Sequence, residues 1–275
     1  MACALPAPQL RAAAFDEIPV LTDDALASSV GVRVLFTQRA GGTSSGPYES
    51  LNLGTHVDDD PDAVAANRAR LARSVGADPG LVVVPNQVHG TDLVVVSDGD
   101  AASVSAAREE AARGADALVV EAPGVSALLC FADCTPVVVV SPTGRFAVAH
   151  AGWRGALAGI AGKAVRALCA LDEAAGHVGT AGGMNVYIGP HIHVECFETG
   201  EDVCESFARA FGEECASDRH VSLARAVSRD VVAAGVDADR IAVAPFCTKC
   251  NPDTYFSYRA SGGVCGRHGA FAVRL

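Results

Sequence analysis

Three residues combine the right chemical type with the right position for catalysis: His89 in NQVHGTD, Cys134 in FADCTPVVVV and His150 in AVAHAGWRG. Each lies at or beside the end of a strand-like apolar run, next to Gly, Pro or Asp, where rigid scaffolds carry their functional groups. One thiolate and two imidazoles can hold a zinc ion and leave a fourth position open. His89 reads as a turn histidine in a polar cluster with Asn86, Gln87 and Asp92. Cys134 follows Asp133 and precedes Thr135-Pro136, where a strand is expected to break; its plain alternative is a buried core thiol. His150 meets Ala-Gly-Trp-Arg-Gly, which opens a helix. The first N–H groups of that helix, together with Arg154, would attract an anion. Neither the dinucleotide glycine fingerprint nor the Walker spacing is present.

A second pattern, Cys247-x2-Cys250-x14-Cys265-x2-His268, has the spacing of a structural zinc site. No thioredoxin-like context surrounds the single CxxC, which argues against a redox role. His191-Ile-His193 is one histidine pair, whereas a multicopper oxidase needs several. The H-x-E plus P-C-x-x-C signature of zinc nucleoside deaminases is missing.

The elements that must position these residues follow from the remaining sequence. At 275 residues and 50% hydrophobic content, the chain can bury a large core. Its net charge of −11, without a basic cluster, excludes nucleic acid and anionic membranes as natural partners. An anionic substrate must be drawn by local arginines. The N-terminal segment does not read as a secretory signal, and no apolar run reaches membrane-spanning length. A cytoplasmic protein with reduced cysteines is expected. Cys3, Cys169 and Cys215 read as thiols without a part in turnover.

Strands are predicted at Val32–Thr37, Leu81–Val84, Leu93–Val96, Ala117–Val120, Val125–Phe131, Val137–Val140, Phe146–Ala149, Val186–Ile188, Ile241–Ala244 and Ala270–Arg274. Turns at Pro123-Gly124 and Pro142-Thr143-Gly144 have hairpin spacing. GGTSSGPYESLNLG reads as a loop. Asp60 caps a helix that starts at Pro61 and runs to about Val75. Residues 98–114 read as an exposed, partly helical insertion. Trp153–Leu171 reads as one helix, and amphipathic helices are expected over about 200–211 and 222–234, the latter capped by Ser222. Strands and helices mix along the whole length, which favours a single α/β or α+β domain over residues 1–275.

TQRAGGTSSGPYESLNLG, NQVHGTD, ADALV, FADCTPVVV, AVAHAGWRG, YIGPHIHVECFETGEDV and FCTKCNPDTYFSYRASG together resemble the YfiH family, the multicopper polyphenol oxidase-like "laccase domain" proteins. The resemblance runs from about residue 31 to the C-terminus and leaves residues 1–30 poorly matched. It departs from the family pattern in the tail, at Arg259-Ala260-Ser261 and Cys265-Gly266-Arg267. It implies a layered α/β/β/α sandwich and a metal, usually zinc with copper as the other candidate, held by His89, Cys134 and His150. It also implies phosphorolysis of adenosine, inosine, guanosine and methylthioadenosine to base and ribose 1-phosphate, with adenosine deamination as a side activity.

For that chemistry the sequence nominates Arg39, Arg68 and Arg154 as phosphate holders, with Ser44 and Asn52 as neutral partners, since a planar guanidinium matches phosphate oxygens. Asp133 is either a proton relay or a turn carboxylate accepting backbone N–H bonds. Purine nucleosides and phosphate are the expected partners of a monomer or homodimer. The alternatives are a cysteine-type amidase acting on peptidoglycan precursors with Cys134 as nucleophile, a laccase-like polyphenol oxidase, and a non-catalytic metal-binding protein.

Overall fold

The computed structural model describes residues 4–275, so Cys3 lies outside the described residues. Two six-stranded sheets stack face to face. The first runs β1 (Arg11–Phe15), β2 (Ile18–Thr22), β3 (Val32–Thr37), β14 (His268–Arg274), β7 (Ser126–Phe131), β4 (Val82–Val83). The second runs β13 (Ile241–Val243), β10 (Asn185–Ile188), β8 (Thr135–Val140), β9 (Phe146–Ala151), β6 (Ala117–Val120), β5 (Leu93–Val96). A small hairpin pairs β11 (Ala216–Ser217) with β12 (His220–Val221). The helices are α1 (Asp24–Val30), α2 (Pro61–Ser74), α3 (Ala101–Ala112), α4 (Trp153–Leu157), α5 (Ile160–Ala174), α6 (Glu201–Phe211) and α7 (Leu223–Ala233).

Strand periodicity divides the apolar residues among three cores. Between the sheets, Val34, Phe36, Leu129 and Ala272 of the first meet Leu118, Val138, Val148 and Tyr187 of the second. The opposite face of the second sheet, with Val119, Val137 and Ala149, packs on Val165 and Leu168 of α5 and Val227 of α7. The opposite face of the first, with Leu35, Leu128 and Phe271, packs on Leu71 and Ala72 of α2. The result is the expected α/β/β/α sandwich. Because β7, β8 and β9 are covered on both sides, every residue in them is buried, and they read as near-continuous apolar runs interrupted by Ser126, Thr135 and His150.

Several expectations change. The spacing around Pro123-Gly124 suggested a hairpin, but β6 and β7 belong to different sheets; of the two turns read this way, the one at Pro142-Thr143-Gly144 joins a hairpin, β8 to β9. Turn chemistry reports a reversal of direction and not which sheet the chain enters. Residues 98–114 are more than an insertion: α3 buries Val104, Ala107 and Ala111 against the central core. The helix expected over Trp153–Leu171 is broken at Gly159, whose φ of 75° is left-handed, into α4 and α5. Pro136 lies inside β8, paired with His150, one residue from the strand start, where a missing N–H is tolerated. Ahead of Val32, where the sequence suggested no element, β1, β2 and α1 are formed, and β1 and β2 extend the first sheet.

Candidate active site

After β7 the chain leaves the first sheet and enters the second at β8 through only three residues, Ala132, Asp133 and Cys134. Asp133 makes this switch with φ 92°. Its side chain secures it: Oδ1 accepts from the Thr248 hydroxyl at 2.6 Å and Oδ2 from the Arg259 N–H at 2.7 Å. Cys134 therefore stands at the open end of the sandwich. His150, in β9, lies beside it across the hairpin from Pro136. His89 arrives from the loop between β4 and β5, also in a left-handed conformation, with φ 60°. The donor atoms of His89, Cys134 and His150 all lie within 4.8 Å of one another.

Asp116, which the sequence reading did not single out, organises this cluster. It is fully buried at the foot of β6. Its carboxylate accepts the N–H groups of Val88, His89 and Gly90 at 3.2, 3.0 and 2.6 Å, which folds the His89 loop around it. The same carboxylate lies 2.7 Å from His150 Nδ1, so the other ring nitrogen of His150 is left for the cluster. A signal was present in the sequence: a lone carboxylate opening a wholly apolar strand must find charge-compensating partners. Gly152, in the turn after His150, is what lets the three side chains approach. A Cβ there would stand 3.0 Å from His89 Cδ2 and 3.2 Å from Cys134 Sγ, so a side chain at this position would push the cluster apart.

The electrostatics favour an ionised thiolate. Burial pushes the Cys134 thiol up, but the charge and hydrogen bond of His150, then those of His89, outweigh it and bring it down to about 6. Burial pushes His150 down, and the Cys134 charge and the Asp116 hydrogen bond outweigh it in turn and raise it. A cation entering here would displace the His150 proton and meet a thiolate already formed. The donor set suits a metal ion, since a thiolate and two imidazoles with a carboxylate behind one of them match zinc.

The cluster forms the floor of a cavity of about 440 Å³. Ile192, Phe197 and Tyr258 supply apolar wall, and His56, Arg259 and Arg267 supply polar wall. Asp133 is the one lining carboxylate, and both of its oxygens are engaged. Burial, then the positive charges of Arg267 and Arg68, hold His56 below its ordinary value. In a chain of net charge −11 this is a locally positive cavity.

Residues 33–274 match the family model described as multi-copper polyphenol oxidoreductase laccase. The purine nucleoside phosphorylase YlmD of Geobacillus stearothermophilus is 35% identical over 248 residues, covering 87% of this chain and 89% of the relative. The adenosine deaminase RL5, from an unknown prokaryotic organism, is 32% identical over 246 residues, covering 86% and 92%. The crystal structure of the Bacillus licheniformis hypothetical protein YfiH superposes with a TM-score of 0.82 at 28% identity, covering 93% of this chain and 96% of that one. The chain belongs to the YfiH family. Its multicopper description has no counterpart in the donors: among the described residues only two groups of three or more His, Cys, Asp or Glu side chains converge, and one of these is built mainly of cysteines.

For this YfiH-family chain, the residues nominated from sequence divide sharply. His89, Cys134, His150 and Asp133 come together, and the nominated phosphate holders do not join them. Arg39 donates to the carbonyls of Glu49 and Pro252 and stacks over Phe256. Ser44 is buried and bonded to Asn67. Asn52 is fully buried and holds Gly54 and the N–H of Arg267. Arg68 donates to the Leu53 carbonyl and lines a neighbouring hollow. Arg154 is exposed on α4 and stacked on Trp153. The guanidinium groups that do line the cavity, Arg259 and Arg267, come from the tail where the family pattern departs. Nor do Cys265 and His268 join Cys247 and Cys250: Cys265 sits against Arg267, and His268 is buried at the start of β14 beside Tyr255. No helix of the described residues is long and apolar enough to cross a membrane.

Proposed function

We propose that this protein is a metal-dependent purine nucleoside phosphorylase, with His89, Cys134 and His150 holding zinc. The observation that supports this most is the juxtaposition of that donor cluster with a positive, aromatic-walled cavity, in a chain similar over most of its length to a protein named for this activity. When bound, the metal supplies Lewis acidity at the cavity floor. Phe197 and Tyr258 flank the purine, whose flat faces suit aromatic contact. Arg267 and Arg259 hold phosphate against the ribose, where its negative charge stabilises the cation developing at the sugar. Asp133 fixes the sheet switch that presents Cys134 and carries no proton in this scheme. The similarity to a protein named adenosine deaminase, and the fourth position that a three-donor set leaves open, support adenosine deamination at the same floor.

Cys134, His150 and Asp116 also have the connectivity of a thiol hydrolase: nucleophile, base and orienting carboxylate. The two readings separate on product and on metal. Zinc-loaded protein given inosine and phosphate should release ribose 1-phosphate, whereas free ribose, or turnover indifferent to chelator, supports the hydrolase. The phosphate contact is testable by substitution. Arg267→Ala should raise the phosphate KM by at least about tenfold, in the range expected for loss of a charge-assisted contact. Arg154→Ala, on a side chain stacked outside the cavity, should change it by less than about twofold. A steady-state phosphate titration of both variants reads this, and the reverse order would move the phosphate site to the start of α4.

A further inference from the structure

The second group of converging donors lies outside the site already described. Cys196 Sγ and Cys250 Sγ are 3.3 Å apart, and with Cys247 Sγ and a Glu195 carboxylate oxygen they all lie within 4.8 Å of one another. Two segments distant in sequence bring them together. Cys247 forms a parallel bridge with His191, and the Thr248 N–H donates to the His191 carbonyl at 3.0 Å. The chain then turns through Lys249 to Cys250, with the Asn251 N–H and side-chain amide both closing on the Cys247 carbonyl at 3.1 and 2.8 Å. On the other segment, the Cys196 N–H closes a turn on the His193 carbonyl at 3.0 Å. The His193 N–H points at Cys247 Sγ, 3.4 Å away, which fixes the direction of that sulfur.

We propose that Cys196, Cys247, Cys250 and Glu195 form a second metal site, structural in kind, for a thiolate-preferring divalent cation of the zinc class. Three sulfurs converge, one more than a disulfide uses, and the fourth donor completes the closed tetrahedral set of a structural zinc centre. The Cys247-x2-Cys250 turn has the short ligand spacing such centres use. The ligand pairing differs from the sequence pattern, which joined this turn to Cys265 and His268. The site clips residues 195–196 to the 247–250 turn. Both segments border the first cavity: Ile192 and Phe197 form its wall, and Thr248, between the two cysteines, holds the Asp133 carboxylate. Metal at this clip therefore fixes the apolar wall and the sheet switch without touching the reacting atoms.

The test is metal stoichiometry. Protein reduced, loaded with zinc and freed of excess should carry about two zinc ions per chain by elemental mass spectrometry. Cys250→Ser, at an exposed position, and Cys196→Ser should each carry about one, and Cys250→Ser combined with Cys134→Ser about none. With cobalt in place of zinc, Cys250→Ser should lose most of the near-ultraviolet sulfur-to-cobalt absorption, because three of the four thiolate ligands belong to this site. A wild-type stoichiometry of one that Cys250→Ser leaves unchanged would overturn the proposal. So would a Cys196–Cys250 disulfide in the purified protein whose reduction restores no zinc uptake. Both readouts are independent of nucleoside turnover, so they stand or fall apart from the phosphorylase reading.

Discussion

Replacing Cys134 with Ser should lower nucleoside cleavage by at least about 100-fold and remove the metal from the first site. A hydroxyl does not ionise near neutral pH and is a poor ligand for zinc, so the cluster loses its one anionic donor. The flanking structure gives no compensation. Asp116 is already occupied by three N–H groups and His150, and Asp133 by Thr248 and Arg259. Because Cys134 is half-buried and isosteric with Ser, the fold should survive, and circular dichroism should match wild type. Near-normal turnover in Cys134→Ser would remove this residue from the mechanism.

The next largest effect is expected at Asp116, through positioning and not contact. Asp116→Asn keeps the volume but removes the charge and one acceptor oxygen. It then cannot satisfy the three loop N–H groups and the His150 ring together, and its own amide adds donors where none are needed. The His89 loop loosens and His150 loses the partner that fixes its ring. Zinc affinity should fall by about 10- to 100-fold, the range found when carboxylates behind metal-bound histidines are changed. Since the three donors remain, excess zinc should restore much of the turnover, which it should not do for Cys134→Ser. Competition with a chromogenic chelator measures the affinity. An unchanged affinity would reduce Asp116 to a fold residue.

These two residues also mark where sequence reasoning reached and where it stopped. Cys134 was legible because a thiol with Asp133 before it and Thr135-Pro136 after it is an odd neighbour for two long apolar runs. Asp116 was passed over, because a single Asp before ALVV reads as ordinary punctuation until β6 is seen to lie beside β9. Strands such as β3, β5 and β6 were legible to the residue from their apolar runs. Their distribution between two sheets was not, since the switch at Ala132–Cys134 depends on what Asp133 bonds to over 100 residues later. The arginines show the same limit. Arg39 and Arg154 have the right chemistry in conspicuous motifs, yet neither lines the cavity: one is anchored on the Glu49 and Pro252 carbonyls and the other lies exposed over Trp153. Arg259 and Arg267 reach the cavity only because the long segment after β13 folds back over the open end of the sandwich. The cysteine spacing misled in the same way: Cys247 and Cys250 do lie together, but their neighbours in space are Glu195 and Cys196, not Cys265 and His268.

A single metal shared by three side chains from three separate segments of the chain is what this site requires. An anomalous-difference map from a zinc-soaked crystal, with data collected on either side of the zinc absorption edge, tests that directly. The predicted result is a peak bonded at once to Cys134 Sγ and to a ring nitrogen each of His89 and His150, at about 2.0–2.3 Å. An active protein whose map shows no peak among these three atoms would contradict it.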